Sequence, residues 1–263
     1  MTTVNDILQY IETLAPRELK MEWDNVGLLC GSKSTSVAKI LVALDPFCHV
    51  CQEAADWNAE LIVTHHPLLF QGPKEITDET ELGRSIHTLC RHGISAINAH
   101  TNWDQVPGGV NDVLARTLGL ENICVIRPEG TTPDGQPWGL LRQGEVAQQS
   151  LESFLEQVKT ALGCEGLRYV SGGKPVRKVA VGGGSCSDGI FDALDAGCDT
   201  FVTADVKYNR FWDARELGLN LIDAGHFYTE NPSMQVLAEK IAAAFPDVEV
   251  KISETHADCM KYY

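Results

Sequence analysis

The sequence lacks any long hydrophobic run. No apolar stretch in its 263 residues approaches the ~20 residues that a membrane-spanning helix needs, and the amino terminus has no basic-then-apolar signal pattern. The nine cysteines are scattered and odd in number, which does not suit a framework of paired disulfides. We therefore expect a cytoplasmic protein with reduced thiols.

Positive charge is also scarce. Lys and Arg total 21 against 36 Asp and Glu, which gives a formal net charge of -15, and no basic stripe is visible. Because binding to phosphate backbones depends on clustered Lys and Arg, this composition disfavours a nucleic-acid partner. An acidic excess favours cations instead. At 263 residues the chain is long enough for one large or two ordinary domains, each with a sizeable core, and the 44% apolar content is typical of a globular protein.

The chain alternates short apolar runs with amphipathic segments, which is typical of an α/β fold. A duplication is visible within this pattern, because residues 39–44 match 178–183 and residues 60–64 match 199–203 at the same spacing. Both copies run strand, helix, strand, helix, strand. We therefore predict two similar α/β lobes that form a layered sandwich.

The pattern also predicts the bounds of the elements and of the lobes. A loop with three prolines and two glycines at 127–137 predicts the boundary, which gives lobes 1–127 and 128–263. The predicted helices are 4–15, 47–57, 79–91, 109–118, 151–162, 187–196, 209–217 and 233–245. The predicted strands are 39–45, 61–64, 94–99, 123–126, 140–146, 167–170, 176–181, 200–203, 219–224 and 248–253.

The strand predicted at 61–64 ends in two adjacent histidines. Because Pro67 cannot donate into a ladder, the strand should stop near Thr64 and leave His65 and His66 at its carboxyl end. In an open α/β sheet this edge is where ligands bind. Neighbouring side chains on extended backbone point in opposite directions, so each histidine can serve one of two metal ions. A solvated turn is the alternative interpretation.

Other predicted strand ends carry similar groups. His100 and Asp104 follow the strand at 94–99, and His226 and Glu230 have the i, i+4 spacing that places both side chains on one face of a helical turn. If the lobes face each other, a metal site in the cleft between them would gather His65, His66, Asp104, His226 and Glu230. Three imidazoles and two carboxylates suit Fe, Zn, Mn, Co or Ni rather than Ca, which prefers oxygen alone.

Four motifs together resemble the YbgI-like family, the Ngg-interacting-factor-like proteins known as GTP cyclohydrolase I type 2 homologs. They are Trp23-Asp-Asn-Val-Gly-Leu28, Thr64-His-His-Pro-Leu-Leu-Phe70, His100-Thr-Asn-Trp-Asp104 and Gly225-His-Phe-Tyr-Thr-Glu230. The resemblance covers almost the whole chain, in a short form without the central domain that longer relatives insert. It implies a two-lobed α/β fold, a homohexameric ring of dimers, and two metal ions held by His65, His66, Asp104, His226 and Glu230. The ending Ser253–Cys259 departs from the family pattern and puts any role of Asp258 in doubt.

The resemblance also implies a reaction. Two neighbouring ions lower the pKa of a water molecule, which would attack the guanine ring of GTP and release formate. Asp104 would be the best candidate to bridge the ions, and Glu230 could bridge them too. His100 would carry a proton as general acid or base, or it would fix Asp104 from outside the ligand set. A metal phosphoesterase, an iron oxygen-using enzyme and a ring-shaped metal-binding scaffold that recruits protein partners without catalysis are the alternatives.

Two further motifs favour structural interpretations. Gly182–Ser185 follows a strand and precedes a helix whose amino terminus could receive an anion, with Lys207 and Arg210 nearby to balance phosphate charge. It lacks a P-loop sequence, so a tight turn is the better prediction. Cys48 and Cys51 form a C-x-x-C pair, the spacing of some redox and zinc sites. No second such pair exists, so we predict ordinary packing.

Overall fold

A computed structural model describes all residues, 1–263. Its helices are α1 (Val4–Leu14), α2 (Cys48–Trp57), α3 (Glu81–His92), α4 (Thr101–Gln105), α5 (Val110–Thr117), α6 (Leu151–Leu162), α7 (Ile190–Asp195), α8 (Tyr208–Glu216), α9 (His226–Glu230) and α10 (Pro232–Ala244). Its strands are β1 (Gly27–Cys30), β2 (Lys39–Ala43), β3 (Leu61–Thr64), β4 (Ser95–Asn98), β5 (Glu121–Ile126), β6 (Gly130–Thr131), β7 (Pro137–Trp138), β8 (Leu141–Gln149), β9 (Arg168–Val170), β10 (Val176–Val181), β11 (Thr200–Thr203), β12 (Asn220–Asp223) and β13 (Glu249–Ile252). Short 3-10 helices lie at Arg17–Leu19 and Ser187–Gly189.

The mixed α/β fold expected from the sequence is confirmed, and every predicted helix and strand has a counterpart. Local chemistry explains several of the ends. Thr3 caps α1 by accepting from the backbone of Asp6, whose side chain accepts in return, and Gly93 ends α3 in the left-handed conformation at φ 68. The sequence pattern missed the short elements β1, β6, β7 and α4, which have no clear periodicity.

The chain divides into two compact units. Unit 1 comprises Met1–Trp103 and Met234–Ala257, and unit 2 comprises Asp104–Ser233 and Asp258–Tyr263. This division differs from the boundary expected at 127/128. The expected boundary falls inside unit 2 because β5 pairs with β8, and the carboxyl-terminal part of the chain returns to unit 1 because β13 pairs with β2.

Unit 1 is built on a five-stranded sheet with the order β1-β4-β3-β2-β13. All neighbours are parallel except β1 and β4. Ala43 is in register with Thr64, and Thr64 with Asn98, so the carboxyl ends of three strands meet at one edge. One face of the sheet forms a core with α2 and α3, whose buried residues include Leu41, Ala43, Val50, Ala54, Ile62, Ile86 and Leu89.

Unit 2 is built on a six-stranded sheet with the order β5-β8-β10-β11-β12-β9, in which β10, β11 and β12 are parallel. Side chains alternate between its faces, as strand geometry requires. One face packs with α5 and α6 through residues that include Val179, Val181, Val202, Phe154 and Leu114. The other face packs with α7 and α8 through residues that include Ala180, Phe201, Leu221, Ile190 and Ala214.

The two units repeat the same local construction, in agreement with the duplication in the sequence. The side chain of Glu60 accepts from the backbone N–H of Lys39 at 2.9 Å, before β3 begins. Asp199 accepts from the backbone N–H of Lys178 at 2.8 Å, before β11 begins. The longest helix in either unit has 13 residues, and none of the helices has the length and apolar character that crossing a membrane demands.

Candidate metal centre

Two histidines follow β3 directly, as the sequence predicts. His65 is fully buried and His66 is partly exposed. The strand ends here because the Thr64 hydroxyl donates to the carbonyl of His66 at 2.7 Å, while the backbone N–H of His66 donates to Leu44. The two ring centroids lie 5.0 Å apart, so both imidazoles occupy the same edge of the sheet.

A third imidazole joins them from the end of β4. The ring centroid of His100 lies 5.1 Å from that of His65 and 5.5 Å from that of His66. Each residue offers one nitrogen, and the three nitrogens lie within 4.8 Å of one another. Unit 1 therefore brings together three of the imidazoles singled out in the sequence, in a geometry that can hold a metal ion.

The ring of His65 has a defined orientation. Its Nδ1 lies 2.9 Å from the carbonyl oxygen of Ala99, which can only accept, so Nδ1 carries the proton. Nε2 is then the ring nitrogen with the lone pair that a metal needs. Metal-ligating histidines typically donate their other nitrogen to a carbonyl or carboxylate in this way.

Asp45 orients His66. One carboxylate oxygen lies 2.7 Å from Nδ1 of His66, and the other lies 3.0 Å from Nε2 of His256 in the carboxyl-terminal segment. Burial alone would raise the pKa of Asp45, but the hydrogen bonds from both imidazoles outweigh it and hold that pKa well below its usual range. Sequence reasoning missed Asp45 and His256, although Asp45 follows β2 at the edge that carries the histidines.

Asp24 plays the same part for His100. Its carboxylate lies 2.8 Å from Nδ1 of His100 and accepts from the backbone N–H of Thr101 at 3.0 Å. Burial raises the pKa of Asp24, but the hydrogen bonds from His100 and Thr101 outweigh this effect and lower the pKa to about 2. Asp24 is therefore ionised above that pH, and its carboxylate holds the imidazole of His100 in one orientation.

Unit 2 holds a second group of candidate ligands. Helix α9 begins at His226 and ends at Glu230, and Gly225, at φ 83, connects it to β12. Nε2 of His226 lies 3.0 Å from a carboxylate oxygen of Glu230. Nδ1 of His226 lies 2.7 Å from Asp205. Glu230 is buried. The predicted i, i+4 pair is thus confirmed as a local arrangement, and its imidazole is again held through Nδ1.

Gly184 makes room for this pair. Its φ is 62, and a Cβ added to it would lie 2.0 Å from Oε1 of Glu230 and 3.0 Å from Nε2 of His226. The segment Gly182–Ser185 is a tight turn, as the sequence predicts. It also leaves space for the carboxylate of Glu230, which the sequence does not indicate. A side chain at position 184 would displace the carboxylate of Glu230.

Asp104 lies on α4 and is buried. The amide of Asn111 connects this helix to the glycine turn, since its nitrogen donates to the carbonyl of Asp104 at 3.2 Å and its oxygen accepts from the N–H of Gly183 at 2.7 Å. Asp104 and Glu230 both act on the thiol of Cys186, whose pKa is raised well above its usual value by burial first and by these carboxylates second. Unit 2 thus places Asp104 in the neighbourhood of its His226 and Glu230.

The donor set fits divalent transition metals. Four imidazoles present Nε2 from a ring held at Nδ1, and a glycine leaves space for a buried carboxylate beside one of them.

The C-x-x-C pair does not contribute metal ligands in this way. Cys51 is buried, donates to the carbonyl of Pro46 at 3.3 Å, and has a pKa raised to about 12, chiefly by burial. It is a packed core residue.

Comparison with known proteins gives consistent results. The family model described as Duf34/NIF3 (NGG1p interacting factor 3) matches residues 2–259. The chain is 38% identical over 262 residues to a Clostridium perfringens protein named GTP cyclohydrolase 1 type 2 homolog, covering 98% of this chain and 99% of the relative. A Clostridium acetobutylicum protein of the same name is 34% identical, with 98% of each chain covered. The crystal structure of a Bacillus cereus protein related to NIF3 superposes with a TM-score of 0.93 at 26% identity, covering 100% of this chain and 99% of that one.

Proposed function

Because the chain belongs to the Duf34/NIF3 family, we propose that it is a hydrolase that depends on two divalent metal ions and acts on a guanine nucleotide. The names of the curated relatives support the substrate class. One observation carries the metal dependence: each imidazole that we assign to the ions is held through Nδ1 by a carboxylate or a carbonyl. This is the usual arrangement of histidines that bind a metal through Nε2.

We assign five side chains to the two ions: His65, His66, Asp104, His226 and Glu230. Two of them, His65 and His66, belong to unit 1, and the other three belong to unit 2. Asp104 and Glu230 are the candidates for a bridging carboxylate. The mixture of nitrogen and oxygen donors suits Fe, Zn, Mn, Co or Ni.

The names of the curated relatives support the reaction that we propose for this donor set. Divalent ions held here would supply Lewis acidity, which lowers the pKa of a water molecule and polarises the bond that it attacks. His100 moves a proton as one water molecule attacks C8 and opens the imidazole ring of guanine to a formamide, and a second water molecule then hydrolyses that formamide to formate and an amine. Asp24 keeps the ring of His100 in the orientation that this transfer needs, because it holds Nδ1 at 2.8 Å.

Metal content tests the ligand assignment. Purified protein should hold two divalent ions per chain, as measured by inductively coupled plasma mass spectrometry. His65→Ala and Glu230→Ala, one from each group, should each lose at least one ion. His87→Ala is the matched control, because His87 is an exposed histidine on α3, and it should keep both ions. Full metal content in both ligand variants would refute the ligand assignment.

Formate release tests the reaction. Each metal-loaded form is incubated with GTP, and formate is measured with formate dehydrogenase. Release that depends on metal and is lost in His100→Ala, with metal content unchanged, supports the hydrolase. Metal-replete protein that releases no formate from GTP with any of the five metals would contradict it and favour the metal-binding scaffold.

Assembly and compartment complete the proposal. We propose a homohexamer, which light scattering after size exclusion would report as six times the 28.8 kDa of one chain. We also place the protein in the cytoplasm, where a reducing environment suits its nine free cysteines. A mass of one or two chains would refute the ring.

A further inference from the structure

Two large aromatic side chains are exposed side by side next to the candidate metal ligands of unit 1. Trp23 is 57% exposed and Phe70 is 49% exposed. Their ring centroids lie 5.5 Å apart and their planes differ by 26°, so the rings stack on each other. We call this pair the aromatic platform. Contiguous exposed apolar surface of this kind marks binding sites, whereas single exposed apolar residues do not.

The aromatic platform adjoins the histidines. The ring centroid of His100 lies 6.0 Å from that of Trp23 and 5.9 Å from that of Phe70, in edge-on contacts with both. His100 in turn lies 5.1 Å from His65. A ligand that covers the platform therefore lies next to His100, the imidazole that we assign to proton transfer, and close to His65, which we assign to metal binding.

The loops that carry the aromatic platform are fixed to each other. The side-chain amide of Asn25 donates to the carbonyl of Leu69 at 2.6 Å, which connects the residues after Trp23 to the residue before Phe70. The carbonyl of Asn25 accepts from the side chain of Asn98 at 3.0 Å. On the other side of Trp23, the backbone N–H of Met21 donates to the hydroxyl of Thr101 at 2.9 Å. The loops that carry the two rings are thus held in place before any ligand arrives, which lowers the entropic cost of binding.

We propose that the aromatic platform binds the flat heteroaromatic ring of the substrate by stacking and thereby places that ring beside His100. Stacking uses the π-face that every nucleobase has, and rigid aromatic side chains offer it a large apolar surface. This proposal deepens the proposed function, since the identity of the ring as guanine rests on it. The binding itself depends only on the rings and on their fixed loops.

Binding of a nucleotide with and without a base tests the proposal. Calorimetry on the metal-loaded full chain measures Kd for GMP and for ribose 5-phosphate, which has the same phosphate but no base. Trp23→Ala and Phe70→Ala should each raise Kd for GMP roughly 5- to 150-fold, the range that corresponds to the loss of one stacked base. Kd for ribose 5-phosphate should not change. Trp23→Phe should restore most of the affinity, and metal content should stay at the wild-type value in all variants.

Trp212→Ala is the matched control, because Trp212 is another exposed tryptophan, on α8 in unit 2. It should bind GMP like the wild type. The proposal is overturned if the alanine variants keep wild-type affinity for GMP, if the wild type does not prefer GMP to ribose 5-phosphate, or if the alanine variants change the oligomeric mass. That last result would identify the platform as a contact between copies of the chain.

The failure of this proposal can be told apart from failure of the proposed function. If GMP binds in a platform-dependent way but GTP yields no formate, the platform stands and the hydrolase does not. If GTP is hydrolysed and the alanine variants leave both KM and kcat unchanged, the hydrolase stands and the platform does not.

Discussion

Gly184→Ala should weaken metal binding more than it weakens the fold. The new Cβ would lie 2.0 Å from Oε1 of Glu230, whereas ordinary contact begins near 3.4 Å. The backbone of Gly184 cannot retreat easily, because its N–H donates to Thr229 at 3.0 Å and its carbonyl accepts from Ala204 at 2.9 Å. The carboxylate of Glu230 must therefore move by more than an ångström.

The two costs have different sizes. Alanine at a φ of 62 costs about 1 kcal/mol of folding stability, which lowers Tm by about 2–4 °C in a chain of this length. Metal sites tolerate ligand displacements of about 0.2 Å, so a larger shift of Glu230 effectively removes one ligand. We expect the metal Kd to rise roughly 10- to 100-fold, or about 1.4–2.8 kcal/mol.

Gly197→Ala separates these costs. Gly197 has a φ of 75 and no atom within 4 Å of an added Cβ, so it carries the same backbone penalty without the clash. Chelator competition gives the metal Kd of both variants, and differential scanning calorimetry gives their Tm. Both should lose similar stability, and only Gly184→Ala should lose affinity. Wild-type metal affinity in Gly184→Ala, or an equal loss in Gly197→Ala, would refute the reasoning.

Three other substitutions test the forces described above. Asp45→Asn should raise the metal Kd roughly 10- to 100-fold in chelator competition, because it removes the charged group that orients His66. Glu53→Gln should lower the free energy of unfolding by about 2–3 kcal/mol at pH 7. Burial raises the pKa of Glu53, but hydrogen bonds from residues 253–255 outweigh it and lower that pKa to about 2. The wild type should therefore lose its advantage over the variant as pH falls from about 4.5 to 2, which urea unfolding across this range would show. Arg142→Met should cost about 3–5 kcal/mol in urea unfolding, because it removes the buried cation that pairs with Asp112 and donates to three carbonyls.

Each substitution has a control at an exposed residue of the same type: Asp56→Asn, Glu79→Gln and Arg177→Met. None of the three should change its measured quantity by more than about 0.5 kcal/mol. The orienting role of Asp45 fails if Asp45→Asn binds metal like Asp56→Asn. The assignment for Glu53 is contradicted if Glu53→Gln and the wild type show the same stability difference at pH 3 as at pH 7. A loss below about 1 kcal/mol in Arg142→Met would show that the buried pair contributes little.

Much of the fold could be predicted because strands and helices leave clear periodicities. The strand Thr200–Thr203 and the helix Leu151–Leu162 have the bounds that apolar spacing indicates. The candidate ligands could be found for a related reason. Parallel strands end at one edge of a sheet, so polar residues directly after them, such as His65 and His100, come together.

Other features depend on contacts that sequence spacing does not encode. The pairing of β13 with β2 joins residues about 210 positions apart, and no local pattern signals it. For the same reason the unit boundary falls elsewhere than the proline-rich loop at 127–137. In the sequence, Gly184 cannot be distinguished from the two glycines that precede it. Only its short distance to Glu230 in the structure identifies it as the residue that makes room for the carboxylate. The role of His256 depends on a hydrogen bond to Asp45 across 211 positions.

The return of the chain to its first sheet has a consequence for synthesis on the ribosome. Until residues 249–252 emerge, β2 is an outer strand of that sheet, with apolar residues and open N–H and C=O groups along its side. Almost all of unit 2 is translated by then, so it can fold first, whereas unit 1 must wait for the end of translation. Nascent chains stalled before position 249 should therefore depend on chaperones that shield strand edges.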